Sequence, residues 1–120
     1  MKTVLIVDDG SFMRMIIRRM FERNSNYKII GEAIDGEEAV ELFKSLKPDI
    51  VTMDINMPRK NGLDALAEIM AIEKSAKVIM ITSLGMEANV KKAIELGASG
   101  FVVKPFEEAH LYSILENLGD

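Results

Sequence analysis

Four apolar runs in this sequence end on side chains capable of ionic or hydrogen-bonding chemistry. VLIV (4–7) leads into Asp8 and Asp9, and IVTM (50–53) leads into Asp54. VIMI (78–81) is followed by Thr82, and FVV (101–103) by Lys104. Singly, each has an ordinary use. An Asp after a strand forms turns or caps helices, a Thr suits a strand, and a lysine suits the surface. If the runs are parallel strands and the first and third are neighbours, their ends share one edge, and three carboxylates meet an ammonium and a hydroxyl. Two carboxylates about 5 Å apart repel by roughly 3 kcal/mol at an effective dielectric near 20. The cluster therefore needs a bound cation, Lys104, or raised carboxyl pKa values. Oxygen donors without His or Cys suit a hard ion, Mg2+ ahead of Zn2+, and Mg2+ readily takes a phosphate oxygen as a ligand. The chemistry expected is a metal together with a phosphoryl group.

The elements that must position these residues follow from periodicity. Apolar runs without alternation mark parallel strands buried on both faces. YKIIGEA (27–33) is more polar and suits a sheet edge. Between the runs, residues 11–24 carry Phe12, Met13, Ile16, Ile17, Met20 and Phe21 in a helical stripe, with Met15 off it. Asp35 and Glu38 form a capping-box pattern that opens a helix with Ala39, Leu42, Phe43 and Leu46 inward. A third helix starts near Gly62 with Leu63, Leu66, Ile69 and Met70. The fourth (87–96) has a thin stripe of Val90, Ala93 and Ile94, and Gly97 is placed to end it in the left-handed region. The fifth carries Leu111, Ile114, Leu115 and Leu118. Five β-α units with right-handed crossovers predict an α/β fold, a doubly wound parallel five-stranded sheet. Ligands of such sheets bind beyond the carboxyl ends of the strands.

The 120 residues fit one domain, 1–120, with no repeat or linker. A composition of 48% hydrophobic and 28% charged residues argues against disorder. The absence of cysteine excludes disulfides and thiolate metal sites and suits a reducing compartment. No stretch is long and apolar enough to span a bilayer, and no signal layout opens the chain, so a cytoplasmic location without membrane insertion is expected. A net charge of -4 offers no basic field to nucleic acid. Most of the nine methionines are expected in the core. His110, the single histidine, has no second ligand beside it and is expected on the surface.

The stretches VDDGSFMR, DIVTMDINMPRKNGLDAL, VIMITS and GASGFVVKPF together make the sequence resemble a response-regulator receiver domain over essentially its whole length, most closely the stand-alone chemotaxis members. The resemblance implies a flavodoxin-like sheet in the order 2-1-3-4-5. It implies that Asp54 is phosphorylated by a histidine kinase or phosphotransfer domain. It implies Mg2+ held by Asp8, Asp9, Asp54 and the backbone carbonyl of Asn56, with Asp9 a more direct ligand than Asp8. Lys104 would pair with a phosphoryl oxygen, and Thr82 would hydrogen-bond the phosphoryl group. Thr82 and Phe101 would form the switch, although Phe101 serves equally well as core. Pro105 stands where the family has a cis peptide bond.

The kinase side would dock on the first helix, whose Arg14, Arg18, Arg19 and Arg23 otherwise read as a solvated face. A downstream target, a flagellar motor switch in the chemotaxis branch, would meet the fourth helix, fifth strand and fifth helix, including Lys91, Lys92, Glu95, Tyr112 and Ser113. Such a protein catalyses its own phosphorylation and dephosphorylation rather than turning over a substrate. Two positions depart from the family pattern. Leu84 replaces a frequent acid or amide, which with Asn56 bears on water access to the site, and Phe101 lacks a tyrosine hydroxyl. Gly10 makes the turn after the acid pair permissive. The alternatives are a receiver of another regulator or phosphorelay and a receiver-like scaffold that works without phosphorylation. An aspartate-nucleophile phosphatase needs D-x-D after strand one, where the acids here are adjacent. A flavin-mononucleotide site would bring phosphate against those two acids.

Overall fold

The computed structural model describes residues 1–83 and 86–118, so Leu84 lies outside the described residues. Ten elements alternate along the chain: β1 (Lys2–Val7), α1 (Ser11–Glu22), β2 (Tyr27–Ala33), α2 (Gly36–Leu46), β3 (Ile50–Met53), α3 (Gly62–Ile72), β4 (Lys77–Thr82), α4 (Glu87–Glu95), β5 (Gly100–Val103) and α5 (Glu108–Glu116). The strands form one parallel sheet in the order β2-β1-β3-β4-β5, the flavodoxin-like arrangement. Strand order reverses at β1, so β1 and β3 run side by side from Val4↔Ile50 to Val7↔Met53. YKIIGEA is the edge strand β2, as its polarity predicts.

Alternate strand residues face opposite sides. Leu5, Val7, Val51, Met53, Val78 and Met80 pack with Ala39, Phe43, Leu66, Ile69 and Ala93 of α2, α3 and α4. Val4, Ile6, Ile50, Ile79, Ile81 and Val102 pack with Ile17, Met20, Phe21, Leu111 and Leu115 of α1 and α5. Each fully buried large side chain stabilises this two-sided core by about 1.5–3 kcal/mol. Met20, Met53, Met57 and Met80 are buried in it, whereas Met1, Met15 and Met86 are exposed.

Helix starts and stops follow local chemistry. Asp35 caps α2 by accepting from Glu38 N at 2.8 Å, while Glu38 Oε1 reaches back to Ile34 N at 3.1 Å, one residue beyond the usual box partner. Gly97 has φ +104°, and Ala98 N donates to Ala93 O while Gly97 N donates to Ile94 O, a Schellman stop for α4.

The structure corrects several expected core positions. β5 is not buried on both faces: it is the other sheet edge, and Val103 is 43% exposed. Phe12 is 67% exposed, since it lies in the first turn of α1, ahead of the part that packs on the sheet. In α2, Val40 turns inward instead of Leu46, which is exposed in the last turn and lies over Gly31. Ile94 is 63% exposed, and α4 buries Ala93 with half-buried Val90 and Leu96 at three-residue spacing. Gly10 has φ -92°, an extended geometry open to any residue, so its permissiveness is not used.

Candidate functional site

The strand ends converge as expected, and the ladder extends one step past them. Asp8 N donates to Ala33 O, Asp54 N to Val7 O and Lys104 N to Thr82 O, at 3.1, 3.0 and 2.8 Å. By strand alternation, Asp8, Asp54 and Lys104 leave the sheet on the α1/α5 side. Thr82, Phe101 and Val103 share the other face, in the register Met80↔Phe101 and Thr82↔Val103.

Asp8, Asp9 and Asp54 each offer a carboxylate oxygen within 4.8 Å of the other two. Asp8 and Asp54 are buried and Asp9 is exposed. Lys104 Nζ bridges the buried pair, 2.6 Å from Asp8 Oδ2 and 3.2 Å from Asp54 Oδ2. The remaining oxygens accept backbone amides, Asp8 Oδ1 from Gly10 at 2.8 Å and Asp54 Oδ1 from Ile55 at 2.7 Å. Burial works to lower the Lys104 pKa. The hydrogen bond to Asp8 and the charges of Asp54 and Asp8 outweigh it, so the pKa is raised and the ammonium stays charged. Three carboxylates against one ammonium leave a formal double negative charge, which a divalent ion would balance. The donors are all oxygen, so the residues present fit Mg2+.

The other expected site residues are placed as follows. Asn56 is exposed on the loop leaving Asp54. Thr82 is fully buried at the end of β4, and Phe101 is half-buried against the α2–α4 core. The Lys104–Pro105 bond is cis. Tyr112 departs from its expected place on the α4–β5–α5 face: its hydroxyl donates to the Met20 carbonyl of α1. The α1 arginines are partly engaged too. Arg14 and Arg18 pair with Glu32 of β2, and Arg23 pairs with Glu108 of α5. His110 is exposed.

Three supports of the site are missed by sequence reasoning. Arg14 Nη1 donates to Asp8 O at 2.8 Å, bracing the acid pair from α1. Gly62 lies so close beneath Asp54 that a Cβ there would stand 1.8 Å from the Asp54 carbonyl oxygen. The Asp54–Asn61 loop is tied to α2 through Gly36 N to Lys60 O, at 2.8 Å. The glycines stand in the sequence as visible signals. Their partners are set by tertiary approach, which spacing does not encode.

A profile of the response regulator receiver domain matches residues 4–116. The chain belongs to the response-regulator receiver family. The receiver is 49% identical to the chemotaxis protein CheY of Thermotoga maritima, over 98% of this chain and 97% of the relative. It is 56% identical to the protein CcdB of Bacillus subtilis, over 90% of this chain and 89% of the relative. Among solved structures, the CheX–CheY–BeF3–Mg2+ complex from Borrelia burgdorferi matches with a TM-score of 0.94 and 40% identity, covering 98% of this chain and 88% of that one. Receiver domains belong to two-component response regulators and bind Mg2+ at an acidic pocket. In this receiver Asp8, Asp9 and Asp54 form a group of that composition.

Proposed function

We propose that this receiver, residues 1–120 as one domain, is a signalling switch phosphorylated on Asp54. The observation that carries the reading is the bridge from Lys104 to Asp8 and Asp54 within a three-carboxylate pocket. Asp8, Asp9, Asp54 and the Asn56 carbonyl would hold Mg2+, with exposed Asp9 the more direct ligand. The ion, when bound, neutralises charge on a transferring phosphoryl group.

The chain's own residues supply the rest. Asp54 Oδ2, the oxygen facing Lys104, attacks phosphorus in line. The P–N bond of a phosphohistidine donor breaks, and its electron pair stays on the imidazole. Lys104 moves from the Asp54 carboxylate to a phosphoryl oxygen. Thr82 supplies a hydroxyl to the same group, and Phe101 turns into the space Thr82 leaves.

The donor, a histidine kinase or phosphotransfer domain, docks on α1, where Phe12 and Met15 are exposed. The output passes through α4, β5 and α5, whose exposed apolar side chains include Ile94 and Val103. Relatives named as chemotaxis proteins support a flagellar motor component as the target. Among the described residues no helix is long and apolar enough to cross a membrane; the likeness to chemotaxis relatives is what supports action in the cytoplasm.

Incubation with a small acyl-phosphate donor and Mg2+, followed by intact mass measurement, tests the reading. One added phosphoryl is expected, dependent on Mg2+, labile to hydroxylamine and absent in Asp54→Asn. No adduct in the wild-type protein would leave a scaffold that binds partners without phosphorylation.

A further inference from the structure

The loop that leaves Asp54 is held by a side chain the phosphorylation reading does not use. The chain turns back sharply at Arg59, where φ is +64° and Lys60 N donates to Pro58 O at 2.8 Å. This is a γ-turn in a region that non-glycine residues rarely adopt. Such a conformation persists only where its surroundings impose it.

Three contacts impose it here. Arg59 Nε donates to Asp35 Oδ2 at 2.5 Å. Gly36 N donates to Lys60 O at 2.8 Å, an approach open only to glycine, because a Cβ there would lie 2.4 Å from that oxygen. Lys60 also forms an ion pair with Glu68 of α3. Asp35 makes a firm anchor: its side chain is 5% exposed, and its other oxygen caps α2 through Glu38 N. One carboxylate therefore starts a helix and grips the loop, using a charge-assisted bond in which guanidinium geometry matters. Asn56 lies on that loop, between Asp54 and Arg59.

We propose that Arg59, through its ion pair with Asp35, is a positioning residue for the metal site, holding the loop in the conformation that presents the Asn56 backbone carbonyl. This inference rests on the metal role proposed above. Arg59 does not itself enter the acidic pocket. It acts as the outer partners of metal ligands do, by fixing the ligand's orientation.

Mg2+ titration of the full chain by calorimetry tests it, with Arg59→Ala, Arg59→Lys, Arg59→Gly and Asp9→Ala beside the wild type. Arg59→Ala is expected to weaken Mg2+ binding about tenfold, the low end for outer partners of metal ligands. Arg59→Lys keeps a cation on Asp35 and recovers most of the affinity. Arg59→Gly relieves the positive φ without restoring the pair. It is therefore expected to exceed Arg59→Ala in thermal stability while binding Mg2+ no better. Wild-type affinity in both Arg59→Ala and Arg59→Gly overturns the proposal, as does full recovery in Arg59→Gly alone. If the wild-type protein shows no Mg2+ binding that Asp9→Ala removes, the metal reading itself fails and the inference falls with it.

Discussion

Lys104 Nζ lies 2.6 Å from Asp8 Oδ2, a bond that joins residues 96 apart in the sequence. Its contact with Asp54 is longer, at 3.2 Å. The lysine is thus committed first to Asp8 and second to Asp54. This arrangement keeps two buried carboxylates compatible without a metal, and it leaves the Asp54 contact as the weaker one to give up.

Removing that ammonium should therefore matter most without Mg2+. Lys104→Met leaves Asp8 and Asp54 facing each other with no protein cation between them. A loss of about 3–5 kcal/mol is expected from urea unfolding without Mg2+, as for a buried pair that loses one partner. Saturating Mg2+ should recover more stability in the variant than in the wild type. Equal gains in both would show that the ion and the lysine do not share a task.

Gly62→Ala should damage fold and site together. The added methyl would begin 1.8 Å from the Asp54 carbonyl oxygen, which is backbone and cannot swing aside. The expected cost is about 3 kcal/mol, at the upper end for overpacking, with slower phosphorylation from acyl phosphate. Thermal unfolding and a phosphorylation time course check both. A variant of wild-type stability would mean that the loop and α3 separate easily.

Thr52→Val should stabilise the protein. Thr52 is fully buried, paired in register with Ile6 and Ile79, and its Oγ1 has no hydrogen-bond partner among the described residues. Replacing an unsatisfied hydroxyl by a methyl of similar shape is expected to gain about 1 kcal/mol. The urea midpoint should rise at unchanged slope. A fall would point to a buried water on that hydroxyl.

Acid should act through Asp35. The Glu38 amide holds its carboxyl below the usual carboxylate range, and the Arg59 guanidinium adds to this against the opposing effect of burial. A depressed native pKa contributes stability that is present above the unfolded value of about 3.9 and lost as pH falls through the native one. Asp35→Asn retains a capping oxygen but cannot titrate. Its stability should fall less steeply than that of the wild type from about pH 5 downward, as followed by urea midpoints. Parallel curves would remove Asp35 from the acid response.

The fold was legible because apolar runs and helical stripes differ in period, and glycine and aspartate mark the ends. The candidate site's charged members were legible because Asp8, Asp54 and Lys104 each follow such a run directly and Asp9 stands next to Asp8. Misplaced residues cluster where an element meets the rim of the sheet. Phe12, Leu46, Ile94 and Val103 all satisfy a periodic pattern, but each sits where no layer covers it. Tyr112 shows the same limit in reverse: a residue expected on an outer face finds a carbonyl on a neighbouring helix. Arg59 gave no periodic signal, since a single turn with positive φ and a partner 24 residues away leaves no pattern to read.

Asp8, Asp54 and Lys104 each hang from an amide bonded to the adjoining strand, one rung beyond the regular ladder. These three rungs make the pocket floor a tripod bolted to the sheet. A floor so fixed cannot yield when its charge changes, so the load passes outward to whatever is not bolted down. On such a floor the Lys104 side chain, with its longer contact to Asp54, is the part left to shift.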